Sequence, residues 1–205
     1  MEQTIEILNV REAAEHRRSI RTFTGHTIPR EDLNEILRLT GLAPSAFNLQ
    51  PWRFVIVETP EAREKLARSA YHQRQVLSAP TVLILYTDMQ DTLEHVEETF
   101  HPGMDQEQRE RARATITGAF AGRTDAEREA LGAEQGNIAL GYLLLEAEGL
   151  GYQTSPMLGF DPEAVKRSFD LPEHVRIPAL VAIGRGAEEG FPHHRHPVSR
   201  IVRAA

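Results

Sequence analysis

The sequence predicts a fold of the α+β or mixed α/β class, on three observations. Apolar, strand-like runs and capped helical segments alternate irregularly; no internal repeat is present; and the strongest apolar run, TVLILYT (81–87), is unbroken, as in a strand buried on both faces in mid-sheet. In chain order, Asn9 with Glu12 forms a capping box that opens a short helix toward His16. A second helix begins near Pro29, places Leu33, Ile36 and Leu37 on one face, and stops at Gly41. Pro44 and Pro51 bracket a loop, since proline removes a backbone donor and disfavours helix in the residue before it. RFVIVE (53–58) is a buried strand, and Thr59-Pro60-Glu61 supplies N-cap, N1 and N2 of a helix that turns Leu66 and Ala70 inward.

After TVLILYT the chain changes character. Residues 90–123 are charged, interrupted by Pro102-Gly103 and only weakly periodic, which suits an excursion over the surface better than a core element. Thr124 with Glu127 caps a long helix running to about Gly149. Its second half, NIALGYLLLEAEGLG, is apolar almost all round, the pattern of a helix buried on every side. A short strand near 152–155, a helix opened by Asp161-Pro162-Glu163 and a last strand ALVAIG (179–184) follow. The tail FPHHRHPVSRIVRAA is too polar for a core.

A chain of 205 residues is long enough for one domain, which buries roughly 70% of its unfolded surface and needs no covalent staples. It has no cysteine, which excludes disulfides, thiolate metal sites and cysteine nucleophiles and fits a reducing cytoplasm. With 23 Lys+Arg against 30 Asp+Glu, a net charge of −7 argues against general nucleic-acid binding. No run approaches a membrane span, and the N-terminus lacks a signal-peptide pattern.

Two stretches stand out chemically. HRRSIRTF (16–23) gathers Arg17, Arg18 and Arg21 around Ser19 in an acidic chain. Guanidinium forks match phosphate oxygens, so this is a candidate anion site as well as a candidate solvated face. LAPSAFNLQPWRFVIV (42–57) places Ser45, Asn48 and Gln50 in a loop beside Trp52, the chain's one tryptophan. The polar groups suit the edge of a ligand rich in heteroatoms, while Trp52 reads as a core anchor. GRGAEEG (184–190) has neither the spacing nor the following helix of a dinucleotide fingerprint. HHRH (193–196) and the His95, Glu98, His101 series lack convergent ligand geometry, so no metal site is assigned.

Taken together, RRSIRTF, APSAFNLQPWRFVIV about 25 residues later, APTVLILY, SPMLGFD and a C-terminal basic residue before proline resemble the FMN-dependent nitroreductase family in order and spacing over nearly the whole chain. The resemblance implies an α+β three-layer sandwich with a central mixed, mainly antiparallel sheet flanked by helices, in an intertwined homodimer with FMN at the subunit interface. It assigns Arg17, Arg18, Ser19 and Arg21 to FMN, chiefly its phosphate end, and Pro44, Ser45, Ala46, Asn48 and Gln50 to contacts from the partner chain. His72 and Gln75, upstream of Pro80, fall at the pyrimidine edge; Met157, Leu158 and Gly159 lie along the flavin near N5; Arg195 closes on the phosphate.

The implied activity is NAD(P)H-dependent reduction of quinones or nitroaromatic compounds by ping-pong hydride transfer. The same resemblance admits dehalogenation, enal reduction, or flavin binding and sensing without turnover. No side chain is assigned a catalytic role, because reduced flavin and solvent can supply protons. Residues 90–123 would form a cover over the pocket, with Phe100, His101 and Phe120 as candidate acceptor contacts. The sequence departs from relatives with asparagine and lysine near the pyrimidine. Neutral Gln75 stabilises negative charge on reduced flavin less than lysine does, which implies a lower potential.

Overall fold

The computed structural model describes residues 7–204. Local capping chemistry sets most helix starts. Helix α1 (Val10–His16) carries the Asn9/Glu12 capping box, α2 (Arg30–Thr40) follows Pro29, and α3 (Pro60–Ser69) starts from the Thr59 hydroxyl with Pro60 in its first turn. Short helix α4 (Arg74–Ser78) leads into the sheet, and α5 (Met89–Glu94) leaves it from an Asp88 cap. Helices α6 (Gln106–Phe120) and α7 (Asp125–Gly149) both open on capping boxes, Asp105/Gln108 and Thr124/Glu127. Helix α8 (Pro162–Ser168) is capped by Asp161, and α9 (Val198–Ile201) is a single exposed turn in the tail.

Four strands, β1 (Trp52–Val57), β2 (Thr81–Thr87), β3 (Gln153–Met157) and β4 (Arg176–Gly184), form one sheet in the order β1-β2-β4-β3. TVLILYT is central, as its unbroken apolar run predicts. The mainly antiparallel sheet that the resemblance implies is found: every pairing between described strands is antiparallel, and the parallel contribution among them is an isolated bridge between Ser19 and Thr154.

Alternation along the central strands distributes side chains to two faces. Val82 and Ile84 of β2 and Leu180 and Ala182 of β4 pack with Leu66, Val76 and Val165 from α3, α4 and α8. Leu83, Ala179, Val181 and Ile183 face the other way, onto Leu33 and Ile36 of α2 and Leu143 and Ala147 of α7. Helices on both faces of the sheet make the expected three layers. Trp52 is buried with Ala43, Leu85 and Ala139, which makes it the core anchor its size suggests.

Two expectations need correction. Helix α7 is not buried on every side within one chain. Leu143 and Ala147 are fully covered, whereas Ile138 and Tyr142 on another face are 43% and 37% exposed. Residues 90–123 are more than a surface excursion: Val96, Phe100, Ile116 and Phe120 bury against Met89 and Leu49 in a satellite core. Weak periodicity concealed this, because the apolar contacts come from three short segments and the flanking loop rather than from one helix face. The satellite core is fastened where the chain leaves β2. The buried carboxylate of Glu129 on α7 accepts the N–H groups of Met89 and Gln90, while Asp88 accepts that of Asp91 and bonds His174.

Close packing of α7 depends on Gly136, where an added Cβ would stand 2.7 Å from Thr87 Cγ2 and 3.1 Å from Pro178. We expect Gly136→Val to cost about 2–3 kcal/mol in denaturant unfolding, through overpacking. Gly118→Ala, in open space on α6, should instead stabilise by about 0.5–1 kcal/mol through helix propensity. Burial holds the Glu129 carboxyl above its ordinary value, against the two N–H bonds that favour its charge. A raised carboxyl contributes stability below the unfolded-state value, and that contribution is lost as pH rises through the folded value. The stability of wild type relative to Glu129→Gln should therefore decline from about pH 4.5 toward neutrality, read as unfolding midpoints across that range.

Candidate functional site

The arginine segment lies along the β3 edge. Ile20 N–H donates to Thr154 O at 3.0 Å, and Ala187 N–H donates to Thr22 O at 2.9 Å, so residues 19–24 are stitched between β3 and the exit of β4. Buried Ile20 and Phe23 anchor the segment in the core. Gly190, at φ +72°, crosses it closely: a Cβ there would meet Arg18 Cβ and Ile20 Cδ1 at 2.9 Å.

The arginines do not form one patch. Arg17 and Arg195 are close enough that each charge bears on the other, and Arg18 adds to them. Burial lowers the Arg17 guanidinium below its usual range; Glu148 opposes this, and Arg195 and Arg18 reinforce it. Arg17 Nη1 is buried with no hydrogen-bond partner among the described residues. Arg18 instead donates to the carbonyls of Glu15, His16 and Arg17, closing the C-terminal end of α1. Arg21 points elsewhere, over the Phe191 ring at 5.9 Å, in a cleft shared with Arg74 and Glu188. The tail brings Arg195 back toward Arg17, although its own Nη1 bonds the His194 carbonyl.

A second group forms where α3 turns into α4 and β3 turns into α8. His72 is exposed at φ +50°, whereas Gln75 is buried and donates to Gln73 Oε1 at 3.0 Å. Gln73 Nε2 donates in turn to Gly159 O at 2.6 Å, which ties the two turns together. Met157 is buried in the core, while Leu158 is 78% exposed. The N–H groups of Leu158 and Gly159 make no hydrogen bond among the described residues. Sequence reading passed over Gln73, whose role appears only once residues 73 and 159 are brought together.

The polar loop is elsewhere. Phe47, Asn48 and Gln50 all have positive φ, and the loop is held by its own polar groups. Ser45 Oγ accepts Gln50 N–H, Asn48 Nδ2 donates to Thr99 O, and Ala46 N–H donates to Gln135. Pro44, Ala46 and Asn48 are exposed. Beside the loop, a cavity of about 590 Å³ is lined by Phe47, Asn48, Phe100, His101, Met104 and Ile116 among others. Phe100 and His101 therefore face this space. Phe120 does not line it and packs edge-on to Phe47 in the satellite core.

Register fixes how far apart these groups stand. The loop ends at Trp52, which pairs with Thr87 at one end of β2; Ser19 bridges Thr154, which connects through Ile183 to Thr81 at the other end. The loop adjoins edge strand β1 and the arginines adjoin edge strand β3. Six residues along a strand and three inter-strand steps separate Trp52 on β1 from Thr154 on β3 by about 25 Å, and the bridge to Ser19 adds one step more. Within one chain, the two motifs stand at diagonally opposite corners of the sheet.

Asp88, Glu129 and His174 place ligand atoms within 4.8 Å of one another, a cluster invisible in sequence because its members come from three distant segments. Its carboxylates already accept the first N–H groups of α5, whose positive end favours anions and opposes a bound cation, so the cluster is a helix cap. HHRH is exposed throughout, and His95 bonds Asp91. Among the described residues, no helix is long and apolar enough to cross a membrane.

Comparisons with known proteins agree with this architecture. The chain is 47% identical over 202 residues to a protein named NADH dehydrogenase from Thermus thermophilus, covering 98% of both chains. It is 34% identical to YdgI of Bacillus subtilis, provisionally named an NAD(P)H nitroreductase, over 91% of this chain and 92% of that one. A crystal structure from Exiguobacterium sibiricum, provisionally a nitroreductase and in complex with FMN, superposes with a TM-score of 0.88 at 27% identity, over 98% and 100% of the two chains. The Nitroreductase family profile matches residues 14–185, and the chain belongs to that family.

Proposed function

We propose that this chain is one nitroreductase-like domain of a cytoplasmic FMN-dependent NAD(P)H oxidoreductase, acting as a homodimer on quinones or nitroaromatic compounds. The observation that carries the reading is Arg17: a half-buried guanidinium whose buried Nη1 has no partner among the described residues, and which feels the charges of Arg18 and Arg195, calls for an anion. The phosphate of FMN supplies one. Exposed Leu158 and the N–H groups of Leu158 and Gly159, unbonded among the described residues, suit an aromatic ring with heteroatoms on its edge, so the residues present fit the group.

FMN, when bound, supplies reversible two-electron chemistry, accepting hydride from NAD(P)H and passing it to an acceptor. The chain's part is to bind, orient and exclude water. Arg17 and Arg195 hold the phosphate, with Arg18 and Ser19 shaping the segment that carries them. Arg21, which the resemblance grouped with the phosphate-end arginines, turns instead toward Phe191 and Arg74, and on this reading joins His72 and Gln75 at the pyrimidine edge, while the 157–159 turn fixes the ring from its side. Pro44, Ser45, Ala46, Asn48 and Gln50 reach the ring from a second copy, since about 25 Å across the sheet separates them from their own chain's arginines. The exposed Ile138/Tyr142 face of α7 suits burial against that second copy. The apolar cavity beside Asn48 then adjoins the partner's flavin, and Phe100 and His101 line the space for a flat acceptor. One site serving donor and acceptor in turn implies a ping-pong cycle.

Purified protein supplied with FMN should turn yellow, bleach under NAD(P)H without oxygen and recover colour with a quinone. Initial rates should give parallel double-reciprocal lines, and intersecting lines from a ternary complex would refute the cycle. Loss of a charge-assisted hydrogen bond in Arg17→Ala should weaken FMN binding roughly 10- to 100-fold. Mixed dimers of Arg17→Ala with Asn48→Ala chains should regain tight FMN at half of their sites. No recovery would place both residues in one chain's site and overturn the trans assignment.

A further inference from the structure

The turn between α3 and α4 is held in an uncommon conformation. Tyr71 and His72 are consecutive non-glycine residues at φ +54° and +50°, a left-handed geometry that persists only where surrounding contacts over-determine it. Backbone bonds from His72 N–H to Ala67 O and from Gln73 N–H to Ala70 O close the turn on itself. Across the gap, Asp161 N–H donates to Ser69 O at 2.8 Å, which brings the end of β3 alongside.

That backbone bond sets the distance between the two turns, and Phe160 N–H donating to Leu158 O at 3.2 Å closes the 158–160 turn on itself, but neither ties the Gly159 carbonyl across the gap. Orientation comes from Gln73. Its side-chain amide donates to Gly159 O at 2.6 Å and accepts from buried Gln75 at 3.0 Å, so one residue joins the two segments. With the Gly159 carbonyl held by Gln73 and the Leu158 carbonyl by Phe160 N–H, the turn has a fixed path, and the Leu158 and Gly159 N–H groups on it have no partners among the described residues.

We propose that Gln73 is a positioning residue: through Gly159 and Gln75 it fixes the relative orientation of the two turns that grip the flavin ring. This inference rests on the FMN reading above. Gln73 itself touches no reacting atom; it sets where the groups that do so point. Glutamate at 73 keeps the acceptor for Gln75 and the side-chain length but cannot donate to the Gly159 carbonyl when ionised. Methionine keeps the length and loses both bonds.

The test compares FMN dissociation constants, bound-flavin absorption spectra and apo-protein melting temperatures for wild type, Gln73→Glu and Gln73→Met. Loss of the Gly159 bond should weaken FMN roughly tenfold in both variants and shift the bound-flavin spectrum, while apo melting temperatures stay within about 2 °C of wild type. A wild-type FMN constant and spectrum in Gln73→Met would overturn the proposal. So would a fall in apo melting temperature with an unchanged bound-flavin spectrum, which marks a contact that only supports the fold. Should Gln73→Met not fold, Gln73→Glu decides by the same readouts. Failure of wild type itself to take up FMN would refute the FMN reading instead, a result visible before any variant is made.

Discussion

The site depends on one backbone hydrogen bond, from Ile20 N–H to Thr154 O. It docks an extended segment beside the edge strand β3, where unpaired peptide groups would otherwise face solvent. Once docked, Ile20 and Phe23 have only the core to enter, and Gly190 can pass close above them because it has no Cβ. Arg17 and Arg18 just before these anchors, and Arg21 between them, then lose their freedom to spread over the surface. Arg17 is drawn inward until one nitrogen is buried without a partner. Hydrophobic anchoring thus drives the burial, and the electrostatic cost falls on Arg17. That is how an ordinary-looking basic cluster becomes a demand for an anion.

The sheet's order supplies the second constraint. Antiparallel pairing in the order β1-β2-β4-β3 sends the N-terminal segment and the polar loop to opposite edges, and the register sends them to opposite ends. No rotation of side chains closes a gap of about 25 Å. On the proposed reading the gap is closed by a second chain, and the polar loop is rigid for that purpose. Its hydroxyl and amide groups bind its own backbone, Thr99 and Gln135, which holds three positive-φ residues in place. A clamp that works on another molecule must be preorganised by its own.

What was legible in the sequence was local. The capping boxes at Asn9 and Thr124, the Thr59-Pro60 start and the inward faces of Leu33, Ile36 and Leu66 are encoded within a few residues, and the structure has each of them. The three-layer arrangement followed from resemblance rather than pattern. The mainly antiparallel pairing followed from resemblance as well, because alternation shows which face is buried and says nothing of strand direction. The satellite core was missed because Leu49, Met89, Phe100 and Phe120 share no helical face. Arg17, Arg18 and Arg21 look equivalent in sequence. They separate in space because Arg18 closes the end of α1 while Arg21 turns toward Phe191.

Glu148 shows how finely that separation matters. It is buried near Arg17, and burial raises its carboxyl more strongly than Arg17 and His16 lower it. One of its oxygens has no hydrogen-bond partner among the described residues, and neither has Arg17 Nη1. A pair of opposite charges that leaves an unmet group on each side is a poor ion pair, since neither recovers its full desolvation. Glu148 therefore steadies the guanidinium without neutralising it, which leaves Arg17 able to bond an incoming phosphate. Were the two fully paired, the anion would have to break that contact first. The mismatch keeps the arginine inside the fold and still available.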